Sequence, residues 1–104
     1  MKNAVLFLTA GFEEIEAITI ADVLRRAGIV IKMVSLTDSI EVTGAHQIRV
    51  LADESFEEVD FSDVEMVILP GGMPGTMNLN DHEGLKKVIM DFHHRKKYLA
   101  AICA

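Results

Sequence analysis

Apolar residues along this chain follow two different periods. A continuous apolar run extends from Ala4 to Leu8, and another from Met66 to Leu69. A mostly apolar stretch, interrupted by Lys32 and Ser35, extends from Ile29 to Leu36, and "YLAAIC" forms a fourth near residue 103. Runs of this kind are typical of strands that are covered on both faces. Segments with helical spacing lie between them, so the pattern predicts an α/β fold with a mainly parallel sheet and helices on both faces.

The first helix is predicted in "EEIEAITIADVLRRAG". Glu13 and Glu14 are interpreted as solvated acids of its first turn, and Gly28 as its stop signal. The apolar residues of this helix recur at helical spacing: Ile15, Ile18, Val23 and Leu24, with Ala17 and Ala21 between them.

Weaker patterns fill the rest of the chain. "IEVTGAHQIRVLAD" predicts a hairpin around Gly44, away from the main sheet. Ser55 and Glu58 form a capping-box pattern, and Asn80 or Asp81 is expected to cap a later helix. That helix carries one apolar stripe: Leu85, Val88, Ile89 and Phe92.

Composition narrows the class of protein. The 104 residues predict a single domain over 1–104, and a net charge of −6 disfavours nucleic acid and anionic membranes as partners. The sequence contains no run of roughly 20 apolar residues and no cleavage-site pattern after the first strand. One cysteine cannot form an internal disulfide, and the four histidines show no metal spacing, so we expect a cytoplasmic protein without metal or cofactor.

Candidate chemistry lies after three strands. Ligands of open α/β sheets bind beyond the carboxyl ends of the strands. Those ends are predicted at residues 9–16, at residues 70–75 and at Cys103. The sequence therefore brings a carboxylate, a glycine-rich turn and a thiol to one edge of the sheet.

Each of these features has two interpretations. Cys103 is either a small buried residue or a nucleophile on a strand-to-helix turn. Glu16 is either a surface acid or a buried one, and burial would favour a protonated form that donates a hydrogen bond to a thiolate. In "LPGGMPG", Gly71 and Gly72 form either an ordinary tight turn or a pocket whose backbone N–H groups face an oxyanion. His46, in the hairpin, could reach a pocket or a neighbouring subunit.

Four segments together resemble a known family. "AVLFLTAGFEEIEAI", "DVLRRAGI", "VILPGG" and "AAICA" occur in order, and together they resemble the ThiJ/PfpI superfamily, in the branch of the Parkinson-associated redox protein and its bacterial relatives. The resemblance implies a flavodoxin-like sandwich related to the class I glutamine amidotransferases. It covers the whole chain.

The resemblance also implies roles for individual residues. Cys103 matches the reactive cysteine of the family, and Glu16 matches the protonated glutamate that hydrogen-bonds to it. Gly72 and Ala104 match the residues whose N–H groups face the site. His46 stands where close relatives carry an arginine, as a possible pocket or subunit contact.

The family domain continues past the position of Ala104. The resemblance therefore implies that this chain is an N-terminal portion ending just past the nucleophile turn, and that a catalytic histidine lies beyond it. We expect the C-terminal remainder on a following segment or a separate chain. We also expect a homodimer that pairs through the first helix and the hairpin region.

Three functions are compatible with these residues. The first is an enzyme acting on small reactive carbonyls, of the glyoxalase or deglycase type, through a hemithioacetal on Cys103 with Glu16 as proton partner. The second is a redox sensor or protective protein whose Cys103 is oxidised to a sulfinate. The third is a chaperone-like binding module. A peptidase-like activity is a further alternative that the resemblance allows.

Overall fold

The computed structural model describes residues 3–103. The strands within these residues are β1 Asn3–Leu8, β2 Val30–Ser35, β3 Glu41–Thr43, β4 Arg49–Leu51, β5 Glu54–Ser55, β6 Val64–Leu69 and β7 Tyr98–Ala101. Five of them form the main parallel sheet, in the order β5-β2-β1-β6-β7. A separate antiparallel pair, β3 and β4, forms the predicted hairpin. The predicted α/β fold with a mainly parallel sheet is confirmed.

Within the described part of the chain, three helices connect and cover the strands. They are α1 Glu14–Arg26, α2 Gly75–Asn80 and α3 Glu83–His94. Two short 3-10 turns, Phe56–Glu58 and Phe61–Asp63, precede β6. None of the helices in residues 3–103 is long and apolar enough to cross a membrane.

The core consists of two apolar layers, one on each face of the sheet. Side chains of a strand alternate between the two faces. In β1, Leu6 therefore packs with Ala17 and Ala21 of α1, whereas Phe7 packs on the opposite face with Leu85 and Phe92 of α3. This double coverage explains why β1 is apolar at every position from Ala4 to Leu8.

The apolar residues of α1 do not all face the sheet. Ile15 is 76% exposed and Val23 is 55% exposed, and Ile18 is also exposed. The buried face instead contains Ala17 and Ala21, because a helix lying close on the sheet accepts small residues at the contact. Ile15 and Ile18 point away from the sheet and form an apolar stripe on the surface, whereas Ile20 packs against the core.

The predicted cap of α3 is wrong. His82 is the N-cap residue, and its ring Nδ1 accepts the backbone N–H of Leu85 at 2.9 Å. Asn80 and Asp81 instead belong to the end of α2. The capping box of Ser55 and Glu58 is present, with the Ser55 N–H donating to Glu58 Oε1 at 3.0 Å.

Candidate functional site

The loops that follow β1 and β6 interlock at the carboxyl edge of the sheet. The backbone N–H of Glu13 donates to the carbonyl of Gly71 at 2.8 Å, and the N–H of Gly75 donates to the carbonyl of Gly11 at 3.1 Å. Gly72 has φ +110°, and a Cβ there would lie 2.6 Å from the Gly11 carbonyl oxygen. Glycine is therefore required at Gly72 both for its conformation and for the close approach of the two loops.

Glu16 and Cys103 meet at Gly71. The Gly71 N–H donates to Glu16 Oε1 at 2.8 Å. A Cβ built on Gly71 would lie 2.6 Å from Cys103 Cβ and 2.8 Å from Glu16 Oε1. The absent side chain of Gly71 thus leaves room for the thiol-bearing residue and the carboxyl group side by side, in a turn that follows a strand as the sequence predicts.

Cys103 lies just beyond β7. The residue is exposed, and its φ of +65° is in the left-handed region that non-glycine residues seldom adopt. The N–H of Ile102 donates to the Leu69 carbonyl at 3.1 Å, so the chain still runs beside β6 one residue earlier. Backbone strain of this kind is common at functional positions and costs of order 1–3 kcal/mol.

An apolar cavity of about 210 Å³ adjoins Cys103. Leu69, Leu79, Ile89 and Ile102 line it, and Lys86 is its one charged lining residue. The cavity lies between the ends of β6 and β7 and the helices α2 and α3. Cys103 therefore borders both the Glu16–Gly71 contact and an apolar space.

A second polar cluster joins the start of α1 to the hairpin. Glu14 is only 4% exposed, and its Oε2 accepts the backbone N–H groups of His46 at 2.7 Å and Ile48 at 3.2 Å. Its Oε1 lies 2.9 Å from the ring Nδ1 of His46. Glu13 Oε1 lies 3.5 Å from the same nitrogen.

These contacts shift both ionisable groups. Burial alone would raise the pKa of Glu14, but the hydrogen bond from the His46 ring and the backbone N–H groups lower it to about 2, from an ordinary value of 4.5. The hydrogen bond to Glu14, with the negative charges of Glu13 and Glu14, raises the pKa of His46 above 6.5. The two shifts agree, since both favour the charged pair.

The interpretation of Glu14 as a solvated acid is wrong. Its buried carboxylate is tolerated because three N–H donors replace the water that it loses. The sequence gives one indirect signal for this contact: Gly44, where a Cβ would collide with the Glu14 carboxylate, stands close to His46 in the hairpin. Hairpin glycines usually indicate a turn conformation, so the pattern does not distinguish the two reasons.

The predicted site residues fall into separate places. Glu16, Gly71 and Cys103 come together, and Gly72 lies one residue further on, packed against the loop after β1. His46 pairs with Glu14 and Glu13 instead of joining the Cys103 contact. Ala104 lies outside the described residues.

Within residues 3–103, one group of side chains has the composition of a metal site. Potential ligand atoms of Glu13, Glu14 and His46 lie within 4.8 Å of one another. The hydrogen bonds between Glu14 and His46 already account for this geometry. The cluster is therefore treated as an ion pair.

The fold and the strand-end site define a class of protein: a flavodoxin-like α/β sandwich with a cysteine on a strained turn after a parallel strand. Residues 2–104 match the model of the DJ-1/PfpI family. The chain belongs to this family, which confirms the resemblance seen in its sequence.

Curated relatives align over nearly the whole chain. It is 36% identical over 104 residues to a Parkinson disease protein 7 homolog of Danio rerio, covering 99% of this chain and 55% of the relative. It is 31% identical to the putative cysteine protease YraA of Bacillus subtilis, covering 98% of this chain and 60% of the relative. The chain thus spans somewhat more than half the length of these relatives.

Solved structures of other proteins superpose closely on this chain. An oxidized DJ-1 of Toxoplasma gondii superposes with a TM-score of 0.96 at 32% identity, over 100% of this chain and 56% of that one. DJ-1beta of Drosophila melanogaster gives a TM-score of 0.94 at 33% identity, over 99% of this chain and 55% of that one.

Proposed function

We propose that this chain carries the nucleophile of a cysteine-dependent, stress-protective member of the DJ-1/PfpI family that acts on small reactive carbonyl compounds. The observation that carries the proposal is the meeting of Glu16 and Cys103 at Gly71. A thiol and a carboxyl group at one glycine provide a nucleophile and a proton carrier within a single small site.

In the proposed reaction, the thiolate of Cys103 attacks the aldehyde carbon of a dicarbonyl such as methylglyoxal. The carbonyl electron pair moves to oxygen, which takes a proton and gives a hemithioacetal. Glu16 then carries the proton from that carbon to the neighbouring one, while the hydroxyl proton of the hemithioacetal passes to the neighbouring oxygen, and a thioester results. Water hydrolyses the thioester, which releases a 2-hydroxy acid and returns the thiol of Cys103. No external oxidant or reductant is needed, because one carbon is oxidised as the other is reduced.

Backbone N–H groups are proposed to stabilise the developing oxyanion. Gly72 is the candidate within the described chain, and Ala104 is proposed as the second donor by its match to the family pattern. Glu16 holds the Gly71 N–H through Oε1, which leaves its other oxygen for proton transfer near Cys103. The apolar cavity beside Cys103 would accept the alkyl part of a substrate.

Turnover of methylglyoxal or glyoxal by the native protein tests this proposal. We expect lactate or glycolate as product and complete loss of turnover in Cys103→Ser. Glu13→Gln is the matched control, since it removes a nearby carboxylate that does not contact Gly71 through its side chain. Turnover that survives in Cys103→Ser would refute the proposal.

A redox role is the second candidate, and the exposure of the Cys103 thiol favours it. The DJ-1 of Toxoplasma gondii that superposes on this chain was solved in an oxidized form. Titration with peroxide followed by mass spectrometry should then show two added oxygen atoms on Cys103 before any methionine is modified. Equal oxidation of the native and the unfolded thiol would remove the basis of this candidate.

The assembly is also a proposal. Exposed apolar residues lie on α1 and on the hairpin, and two copies of this surface would suit a homodimer: Ile15, Ile18, Ile48 and Leu51.

The C-terminal remainder of the protein, on a following segment or a separate chain, is proposed to cover β7, where Tyr98 and Leu99 are exposed. A cytoplasmic location stays part of the same proposal. Intact-mass analysis of the denatured protein tests whether a second polypeptide is present.

A further inference from the structure

The first turn of α1 begins without a conventional cap. Glu13 stands at the N-cap position, and its side chain makes no capping hydrogen bond. Helix ends without caps tend to fray, because their first N–H groups lack partners. The residue that this end presents to Cys103 is Glu16, which lies in that same first turn.

Three contacts hold this turn in place, and they act in two directions. Toward the glycine loop, the Glu13 N–H donates to the Gly71 carbonyl and Glu16 Oε1 accepts the Gly71 N–H, both at 2.8 Å. Toward the hairpin, the buried carboxylate of Glu14 accepts from both His46 and Ile48.

The Glu14 contact is the most enclosed of the three. Both of its oxygens are engaged, and Gly44 leaves the space that its carboxylate occupies. The hairpin also bonds to the loop before α1, where the Gly11 N–H donates to the Thr43 carbonyl at 2.9 Å. The hairpin and the start of α1 therefore form one packed unit, with Glu14 at its centre.

We infer that Glu14 is a positioning residue for Glu16, holding the first turn of α1 so that the Glu16 carboxyl group stays on Gly71 beside Cys103. The inference rests on the proposed role of Glu16 at the cysteine. Glu14 and Glu16 lie two residues apart in one helical turn and contact different partners. Loosening the contact between Glu14 and the hairpin therefore frees the whole turn. Glu16 then loses its fixed distance to Gly71.

Amide hydrogen exchange of Gly71 in the native protein measures this effect directly. Its N–H is protected by Glu16, so we expect Glu14→Gln to accelerate its exchange about tenfold, the factor that corresponds to losing one charge-assisted hydrogen bond. The N–H of Leu6, in the central strand, should be unaffected. Glu13→Gln, which leaves the hairpin donors in place, is the matched control.

Equal acceleration at Gly71 and Leu6 would mean general destabilisation and would overturn the inference, as would no change at Gly71. If Glu14→Gln does not fold, His46→Ala removes only the ring donor. His46→Ala should then accelerate amide exchange at Gly71 alone, by a smaller factor. Equal acceleration at Gly71 and Leu6, or no change at Gly71, would again overturn the inference.

A double-mutant cycle separates this inference from the proposed function. We expect Glu14→Gln to alter the alkylation rate of Cys103 several-fold in the parent protein and not to alter it in the Glu16→Gln background. An unchanged effect in that background would refute positioning through Glu16. If Glu16→Gln itself leaves the Cys103 rate unchanged, the proposed role of Glu16 fails, while the exchange rate of Gly71 still decides whether Glu14 positions it.

Discussion

The Glu14 carboxylate contacts His46 twice: its Oε2 accepts the backbone N–H at 2.7 Å, and its Oε1 lies 2.9 Å from the ring Nδ1. The two residues are 32 positions apart in the chain. Glu14 belongs to the helix that carries Glu16, and His46 belongs to the hairpin. The pair therefore ties a surface element of the fold to the element that builds the candidate site.

Stability at acid pH should depend on Glu14. Its folded pKa of about 2 lies below the ordinary 4.5, so its contribution is fully present above about pH 4.5 and is lost as pH falls toward 2. We expect Glu14→Gln to be less stable at pH 7 and to lose less stability between pH 5 and pH 2. Denaturant unfolding at several pH values measures this. Glu13→Gln should retain the acid dependence of the parent.

His46 should titrate in the opposite sense. Its pKa is raised above 6.5, so the stability that its charge adds is fully present below that value and is lost as pH rises through the folded pKa. We expect an NMR titration of the His46 ring to give a midpoint above 6.5 that falls in Glu14→Gln. An unchanged midpoint would contradict the proposed cause.

The sheet could be predicted from the sequence because the physics of its strands is local. A strand covered on both faces must be apolar at successive positions, and β1 meets this requirement from Ala4 to Leu8. The strand ends then indicated the edge where Gly71 and Cys103 lie. The same reasoning predicted the hairpin, since Gly44 interrupts two β-prone segments.

The partners of individual side chains could not be predicted in the same way. Helical periodicity identifies an apolar stripe, but α1 has two candidate faces, and Ile15 and Ile18 lie on the one away from the sheet. Ala17 and Ala21 are less hydrophobic than the isoleucines, and yet they form the contact between α1 and the sheet. Glu14 is buried only because the hairpin supplies donors from residues 46–48, a long-range contact that no local pattern records.

Gly44 should be required for space and Gly28 for conformation. A Cβ on Gly44 would collide with the Glu14 side chain, whereas one on Gly28 would meet nothing within 4 Å but would stand at φ +83°. We expect Gly44→Ala to cost about 1–3 kcal/mol by overpacking and Gly28→Ala about 1–2 kcal/mol by strain. Only Gly44→Ala should also lower the NMR midpoint of His46. A normal midpoint in Gly44→Ala would show that the hairpin moves without disturbing Glu14.

The exposed face of α1 should mediate self-association. Ile15 is 76% exposed, and a charge in a buried subunit contact would lack a partner. We therefore expect Ile15→Glu to shift the native protein from dimer to monomer in sedimentation velocity at micromolar concentration. Met90→Glu, on the exposed side of α3, is the matched control and should leave the dimer intact. A parent protein that is monomeric under these conditions would contradict the homodimer.

Gly71→Ala should separate the two groups of the candidate site. The added Cβ would lie 2.6 Å from Cys103 Cβ and 2.8 Å from Glu16 Oε1, so one of the two side chains must move. In the parent, we expect the native thiol to react with iodoacetamide at pH 6 faster than the unfolded thiol does, as its proposed role as a nucleophile requires. Gly71→Ala should abolish most of that difference.

The matched control for this substitution is Gly84→Ala in α3. Its added Cβ would meet the Phe56 ring at 2.9 Å, a contact about as tight as those at Gly71. Gly84 and Phe56 lie between α3 and the 3-10 turns, where neither contacts Glu16 or Cys103. A loss of stability without a loss of Cys103 reactivity is therefore expected. If both variants slow alkylation equally, general loosening of the fold explains the effect. If neither does, Gly71 is a packing position only, and the contact among Glu16, Gly71 and Cys103 does not control the thiol.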